Sequence, residues 1–221
     1  MEIIKNLWQV GGAGYTSVED AAIYLIRFGE KAALIDAGCG GAHEDLANNI
    51  SGVLPSDVEI DYLFLTHCHY DHTGGAEAVR KQYGCKIVAH ELDAPYLETG
   101  DSIVTAANWY GSRMKPLGID YKIKDKKQTF QVGRGELTAY HCPGHSPGSV
   151  VYLAKLISNR VLFGQDVHGP LDDSFLSNRD DYKRSLKFLA GLNADILCEG
   201  HFGVYQGQKE VNQFIQTYLE G

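Results

Sequence analysis

Residues 63–75 read "LFLTHCHYDHTGG". His67, His69, Asp71 and His72 fall within six positions, directly after an apolar run and directly before paired glycines. Imidazole nitrogen and carboxylate oxygen at this density are the donors of a metal centre, placed where a strand gives way to a turn.

Three more segments repeat that layout. "ELTAYHCPGH" runs to His145, "NRVLFGQD" to Asp166 and "ADILCEGH" to His201, each an apolar run, then a glycine, then a ligand-type residue. Four strands would thus deliver ligands at their C-terminal ends, the edge of a layered α/β fold where sites collect. Gly144, Gly164 and Gly200 are expected to allow the turns that aim those side chains back over the edge. Seven ligands exceed one tetrahedral ion and suit two ions ~3.5–4 Å apart that share a carboxylate. The expected assignment gives His67, His69 and His145 to one ion and Asp71, His72 and His201 to the other, with Asp166 bridging. Two zinc ions are expected, iron and manganese being compatible with the same donors. Asp36 in "LIDAG" reads as a turn or supporting residue, and His43, His90 and His141 as structural or surface residues.

The chain has 221 residues, 44% hydrophobic and 22% charged, which is ordinary for a globular protein. No run approaches the ~20 apolar residues of a membrane span, and residues 1–10, "MEIIKNLWQV", lack the layout of a secretory signal. Five scattered cysteines without a C-x-x-C pair fit reduced thiols in the cytoplasm. Cys68, Cys142 and Cys198 neighbour ligands and should point away from them as buried thiols. A net charge of −8 with no long basic run disfavours nucleic-acid binding. Neither a membrane nor a nucleic acid is therefore an expected partner.

Strand-like runs are read at 3–10, 21–29, 31–36, 62–65, 85–90, 119–123, 136–141, 149–154, 160–163 and 195–198. Helices are read at 42–53, 76–84, 179–191 and 208–219. Between 93 and 118, Ile103, Ala106, Ala107, Tyr110 and Met114 recur at helical spacing, which predicts a helical lid or wall inserted into one layered domain spanning 1–221. Trp109, Tyr110, Arg113 and Lys115 would then be substrate contacts, unless this segment instead packs inward or forms a homodimer interface.

H-x-H-x-D-H followed by a spaced His, Asp and His resembles the metallo-β-lactamase superfamily, with "THCHYDH" (66–72), "PGHSPGS" (143–149), "FGQD" (163–166), "EGH" (199–201) and "LIDAG" (34–38) as the matching elements. The resemblance implies an α/β fold of the four-layer αββα sandwich type. Within the superfamily the chain is similar at the ligands to glyoxalase II, whose helical C-terminal domain cannot fit in the 20 residues after His201. Class B β-lactamases lack an aspartate bridge at the Asp166 position, and the acidic charge argues against the RNase Z-like nucleases. The implied activity is binuclear hydrolysis of a thioester, ester or lactone by a hydroxide bridging the metals. Asp71 would orient that nucleophile, and His168 is a candidate proton donor or substrate contact. Two alternatives stand beside it: a mononuclear iron persulfide dioxygenase-like oxidoreductase using His67, His145 and Asp166, and a non-catalytic metal-binding protein.

Overall fold

The computed structural model describes residues 1–164 and 166–220. Among them, two sheets face each other. The first has seven strands in sequential order: β1 (Glu2–Ile4), β2 (Leu7–Gly11), β3 (Ile23–Phe28), β4 (Lys31–Ile35), β5 (Glu59–Phe64), β6 (Lys86–His90) and β7 (Tyr121–Ile123). It is antiparallel from β1 to β4 and parallel from β4 to β7. The second comprises β8 (Lys127–Val132), β9 (Gly135–His141), β10 (Val150–Leu156), β11 (Asn159–Phe163), β12 (Ile196–Cys198) and β13 (Val204–Gln206), in the order β13-β12-β11-β10-β9-β8. Only its β11–β12 pair is parallel.

Strand periodicity explains the layers. On β10, Val150, Tyr152, Ala154 and Leu156 enter the core between the sheets, while Val151 and Leu153 turn to the opposite face. On β3, Tyr24, Ile26 and Phe28 share the inter-sheet core, and Ile23 and Leu25 face outward. Successive side chains on a strand alternate faces, so apolar residues on both parities require cover on both sides. Leu46 and Ile50 of α1 (His43–Ser51) and Ala76 and Val79 of α3 (Ala76–Tyr83) cover the first sheet. The second sheet is covered by Tyr182, Leu186 and Leu189 of α5 (Arg179–Gly191) and Val211 and Ile215 of α6 (Gln208–Leu219). The result is the αββα sandwich. Phe64 and Tyr152 meet at its centre, both fully buried, with ring centroids 5.1 Å apart. Burial of this kind is worth ~1.5–3 kcal/mol per large side chain.

The helical pattern expected over 93–118 is realised only in part. The segment contains α4 (Ala94–Thr99) and a 3₁₀ turn at Ala107–Tyr110, joined by turns. Left-handed Gly100 (φ 72°) ends α4, and left-handed Ala106 (φ 58°) enters the 3₁₀ turn. Ile103, expected on the apolar face, is 59% exposed. The expected strand 3–10 is two strands, divided at left-handed Asn6 (φ 70°). β8 and β13 were not anticipated.

A candidate two-cation centre at the sheet edges

β5 ends at Phe64, three residues before His67, and the adjoining turn runs into α2 (Tyr70–Thr73), which carries Asp71 and His72. β9, β11 and β12 end at His141, Phe163 and Cys198, shortly before His145, Asp166 and His201. One sheet thus supplies His67, His69, Asp71 and His72, and the other supplies the remaining three. Gln165, inside the FGQD element, lies outside the described residues.

All seven side chains converge. Donor atoms of His67, His69, His145 and Asp166 lie within 4.8 Å of one another, and so do those of Asp71, His72 and His201. The Asp166 carboxylate sits between the groups. Its Oδ2 is 3.4 Å from His145 Nε2, 4.0 Å from His67 Nε2 and 3.5 Å from His201 Nε2, and its Oδ1 is 3.2 Å from His72 Nε2. Asp71 Oδ2 lies 3.1 Å from His201 Nε2.

Hydrogen bonds on the far side of three rings fix which nitrogen faces the centre. Asp36 accepts from His72 Nδ1 at 2.8 Å, and the Pro170 carbonyl accepts from His145 Nδ1 at 2.8 Å. The Thr66 hydroxyl donates to Asp36 at 2.7 Å, which leaves its oxygen to accept from His67 Nδ1 at 3.0 Å. With Nδ1 protonated in each ring, the inward Nε2 is a bare lone pair, the arrangement that orients metal-binding imidazoles. Nε2 of His67, His69, His72 and His145, together with Asp166 Oδ1, is buried without a hydrogen-bond partner. An unpaired buried polar atom costs ~1–3 kcal/mol, and five in one cluster point to a shared occupant. Divalent cations fit this donor set.

The electrostatics agree. Burial, reinforced by neighbouring imidazoles, pushes His67 and His69 well below the ordinary histidine range. Burial would also depress His72 and His201, but the carboxylates around them prevail and raise both, His201 to about 10. Burial would raise Asp71 and Asp166, yet the charges of His72 and His201 hold both below the usual carboxylate range. Without metal, His67 and His69 thus favour the neutral form, and positive charge is stabilised at His72 and His201, beside Asp71 and Asp166.

Three supporting residues escaped the sequence reading. Asp93, 1% exposed, accepts from the Cys68 amide at 2.9 Å, the Ser146 hydroxyl at 2.6 Å and the Gly148 amide at 2.6 Å. It thereby joins the His67–His69 turn to the His145 turn. Glu199 accepts from the His201 and Phe202 amides at 2.7 and 2.8 Å and pairs with His168 Nδ1 at 2.9 Å. Its place beside His201 in "EGH" was the available signal. Phe175 packs on His69 with centroids 4.3 Å apart and carries Trp109 at 4.6 Å on its other side. Nothing local in the sequence marks it.

The remaining candidates divide. His168 sits beside the centre, its ring 5.3 Å from that of His201. Trp109 covers Phe175. Tyr110 lies tilted against Tyr70 with ring centroids 5.9 Å apart, and burial together with Asp71 raises its hydroxyl pKa. Arg113 and Lys115 line a neighbouring cavity. Cys68, Cys142 and Cys198 are buried, as expected. Of the three glycines, only Gly144 has positive φ (138°). Gly164 and Gly200 answer to crowding instead: a Cβ would lie 2.4 Å from Leu197 Cδ1 at Gly164 and 2.1 Å from Asp166 Oδ1 at Gly200.

Residues 17–201 match the sequence model of the metallo-beta-lactamase superfamily. A probable metallo-hydrolase of Methanocaldococcus jannaschii is 27% identical over 72% of this chain and 73% of its own length. An acyl-coenzyme A thioesterase of Gallus gallus is 28% identical over 93% of this chain and 80% of its own. A probable hydroxyacylglutathione hydrolase of Schizosaccharomyces pombe is 29% identical over 50% of this chain, which spans 34% of that protein. Among solved structures, a metallo-beta-lactamase of Cronobacter sakazakii superposes with a TM-score of 0.81 at 18% identity, covering 99% of this chain and 92% of that one. At that identity the likeness is one of fold.

Proposed function

The chain belongs to the metallo-β-lactamase superfamily, and on that premise we propose that it is a metal-dependent hydrolase that opens a thioester, an ester or a lactone at a two-cation centre. The observation that carries this reading is the convergence of four buried, unpartnered Nε2 atoms on the Asp166 carboxylate. His67, His69 and His145 would hold one ion and Asp71, His72 and His201 the other, with Asp166 between them. Bound there, divalent ions would acidify a coordinated water and act as Lewis acids toward an acyl oxygen.

The protein's own groups supply the rest. Asp71 would orient the attacking water as well as hold His201. Phe175 and Trp109 screen the His69 side from solvent, while His201, with 30% of its side chain exposed, marks the open side. Glu199 holds the His168 ring through Nδ1, which leaves Nε2 as the atom that would serve a leaving alkoxide as proton donor. A thiolate needs no such help, so His168 would matter less for thioesters than for esters or lactones. The relative named as an acyl-coenzyme A thioesterase favours the thioester.

The test is metal content by elemental mass spectrometry, on protein purified without chelator or metal resin, for the wild type and Asp166→Ala, followed by a panel of thioesters, esters and lactones. About two zinc ions per chain, a sharp loss in the variant and turnover of one acyl class are expected. One iron per chain with oxygen uptake on persulfides would replace the hydrolase with the dioxygenase reading. Full occupancy and activity in Asp166→Ala would sink the two-cation site.

A further inference from the structure

Behind α2 lies a cavity of about 740 Å³, within the ~300–1,000 Å³ of small-molecule sites. Its lining is unlike the protein as a whole. The chain carries a net charge of −8, yet this cavity is lined by Arg80, Lys81, Arg113 and Lys115, with Glu77 as the one carboxylate residue. Glu77 is already engaged, by Arg80 and by Lys81 at 3.6 Å. Arg80 also donates to the Gly118 carbonyl at 2.8 Å. Among the described residues, Arg113 and Lys115 have neither an ion pair nor a side-chain hydrogen bond. They remain available to an anion.

The partition between this cavity and the metal centre is a single helical turn. α2 has four residues: Asp71 and His72 belong to the cation cluster, and Tyr70 and Thr73 line the cavity. Ser112, also in the lining, donates to the Tyr70 hydroxyl at 2.9 Å, and Tyr110 stands beside both Tyr70 and Asp71. A ligand in the cavity therefore lies roughly one helix diameter, about 10 Å, from the acyl-binding centre. The floor is backbone: a Cβ on Gly75 would fall 2.2 Å from the Ala37 carbonyl, and one on Gly40 2.8 Å from Gly75 Cα.

We propose that this cavity holds the phosphorylated, nucleotide-sized half of a thioester, joined to the acyl carbon at the metal centre by a flexible arm that passes around α2 and so exceeds the helix diameter of about 10 Å. The link to catalysis rests on the hydrolase reading above. One inorganic phosphate would leave most of the cavity empty. A long polyanion would meet the net negative surface, whereas a compact one senses only charges within a Debye length, ~8 Å at physiological salt. Arg113 and Lys115 thus select the thiol half of the substrate rather than the acyl half.

Titration calorimetry with adenosine 3′-phosphate 5′-diphosphate tests this on the protein as purified, since the probe has no thiol to offer a metal. The wild type should bind it with an affinity that falls as salt rises. R113E/K115E should weaken binding at least tenfold, and R113Q/K115Q by less, with thermal melts checking that both variants fold. In turnover, R113E/K115E should cut the preference for an acyl-coenzyme A over the S-acyl-N-acetylcysteamine of the same acid at least tenfold in kcat/KM. Absence of probe binding, or equal binding by R113E/K115E, would overturn the proposal even if the uncharged thioester is hydrolysed. Charge-sensitive binding without hydrolysis of either thioester would uphold the anion site and sink the hydrolase reading instead.

Discussion

Asp36 accepts three hydrogen bonds, from the Thr66 amide, the Thr66 hydroxyl and His72 Nδ1. Its carboxylate sets the tautomer of one proposed ligand directly and, through Thr66, of a second. Asp36→Asn keeps the size but can turn an N–H toward His72 Nδ1 and force the ring's proton onto Nε2. Metal affinity should fall 10–100-fold, read by competition with a chromophoric chelator; an unchanged affinity would leave Asp36 with a purely structural role. Gly200 makes a different demand. The space its side chain would occupy belongs to Asp166 Oδ1, so Gly200→Ala should displace that carboxylate. Metal per chain should drop toward one while the melting curve stays cooperative. The seven proposed ligands were legible because each is a chemically distinctive side chain placed just after an apolar run. Asp93 was not, because its partners at Cys68, Ser146 and Gly148 lie 25, 53 and 55 residues away.

At the scale of elements, the loops carrying ligands are tied to each other more than to solvent. Asp93 directly precedes α4, and its carboxylate clamps two of them, so Asp93→Ala strands the Cys68 and Gly148 amides and the Ser146 hydroxyl. A destabilisation of about 3 kcal/mol, the scale of a broken buried polar network, should appear in denaturant titration together with weaker metal retention. A second tie joins the sheets themselves: His90 on β6 and His141 on β9 stack with centroids 3.9 Å apart and 15° between planes. Burial, then the neighbouring His141, pushes His90 down to about 4. The unfolded chain therefore binds more protons between pH 6.5 and about 4, and stability falls as pH drops through that window. Metal-free protein should melt at lower temperature on acidification from 6.5 to 4, and His90→Phe should flatten that slope. An equal slope in both would remove the pair as its cause. These ties were invisible in the linear pattern, as was β8, whose "KQTFQV" buries only Phe130 and Val132. The segment 93–118 misled for the opposite reason: Ala106, Ala107 and Met114 do pack inward, but from turns whose dihedrals Gly100 and Ala106 set.

On the scale of the whole molecule, the two sheets meet twice, through an apolar core and through the histidine–aspartate cluster at one edge. The core includes Phe64, Val88, Tyr152 and Phe163, all but fully buried, and owes nothing to a metal. The cluster draws His67, His69, Asp71 and His72 from beyond β5 and His145, Asp166 and His201 from beyond β9, β11 and β12. Cations bound there would cross-link layers that already fold together. Chelation should therefore leave the far-ultraviolet circular dichroism spectrum unchanged and lower the melting temperature. At free metal 100 times the dissociation constant, binding adds about 2.7 kcal/mol; at ~2–4 °C per kcal/mol for a chain of this size, the shift is roughly 5–11 °C. The temperature should climb with the logarithm of free zinc, and Asp166→Ala should abolish most of the climb without lowering the chelated value by as much. Chelated protein that loses its secondary structure at 25 °C would instead mean that the inter-sheet core cannot hold the layers alone, and that the metal organises the fold as well as the chemistry.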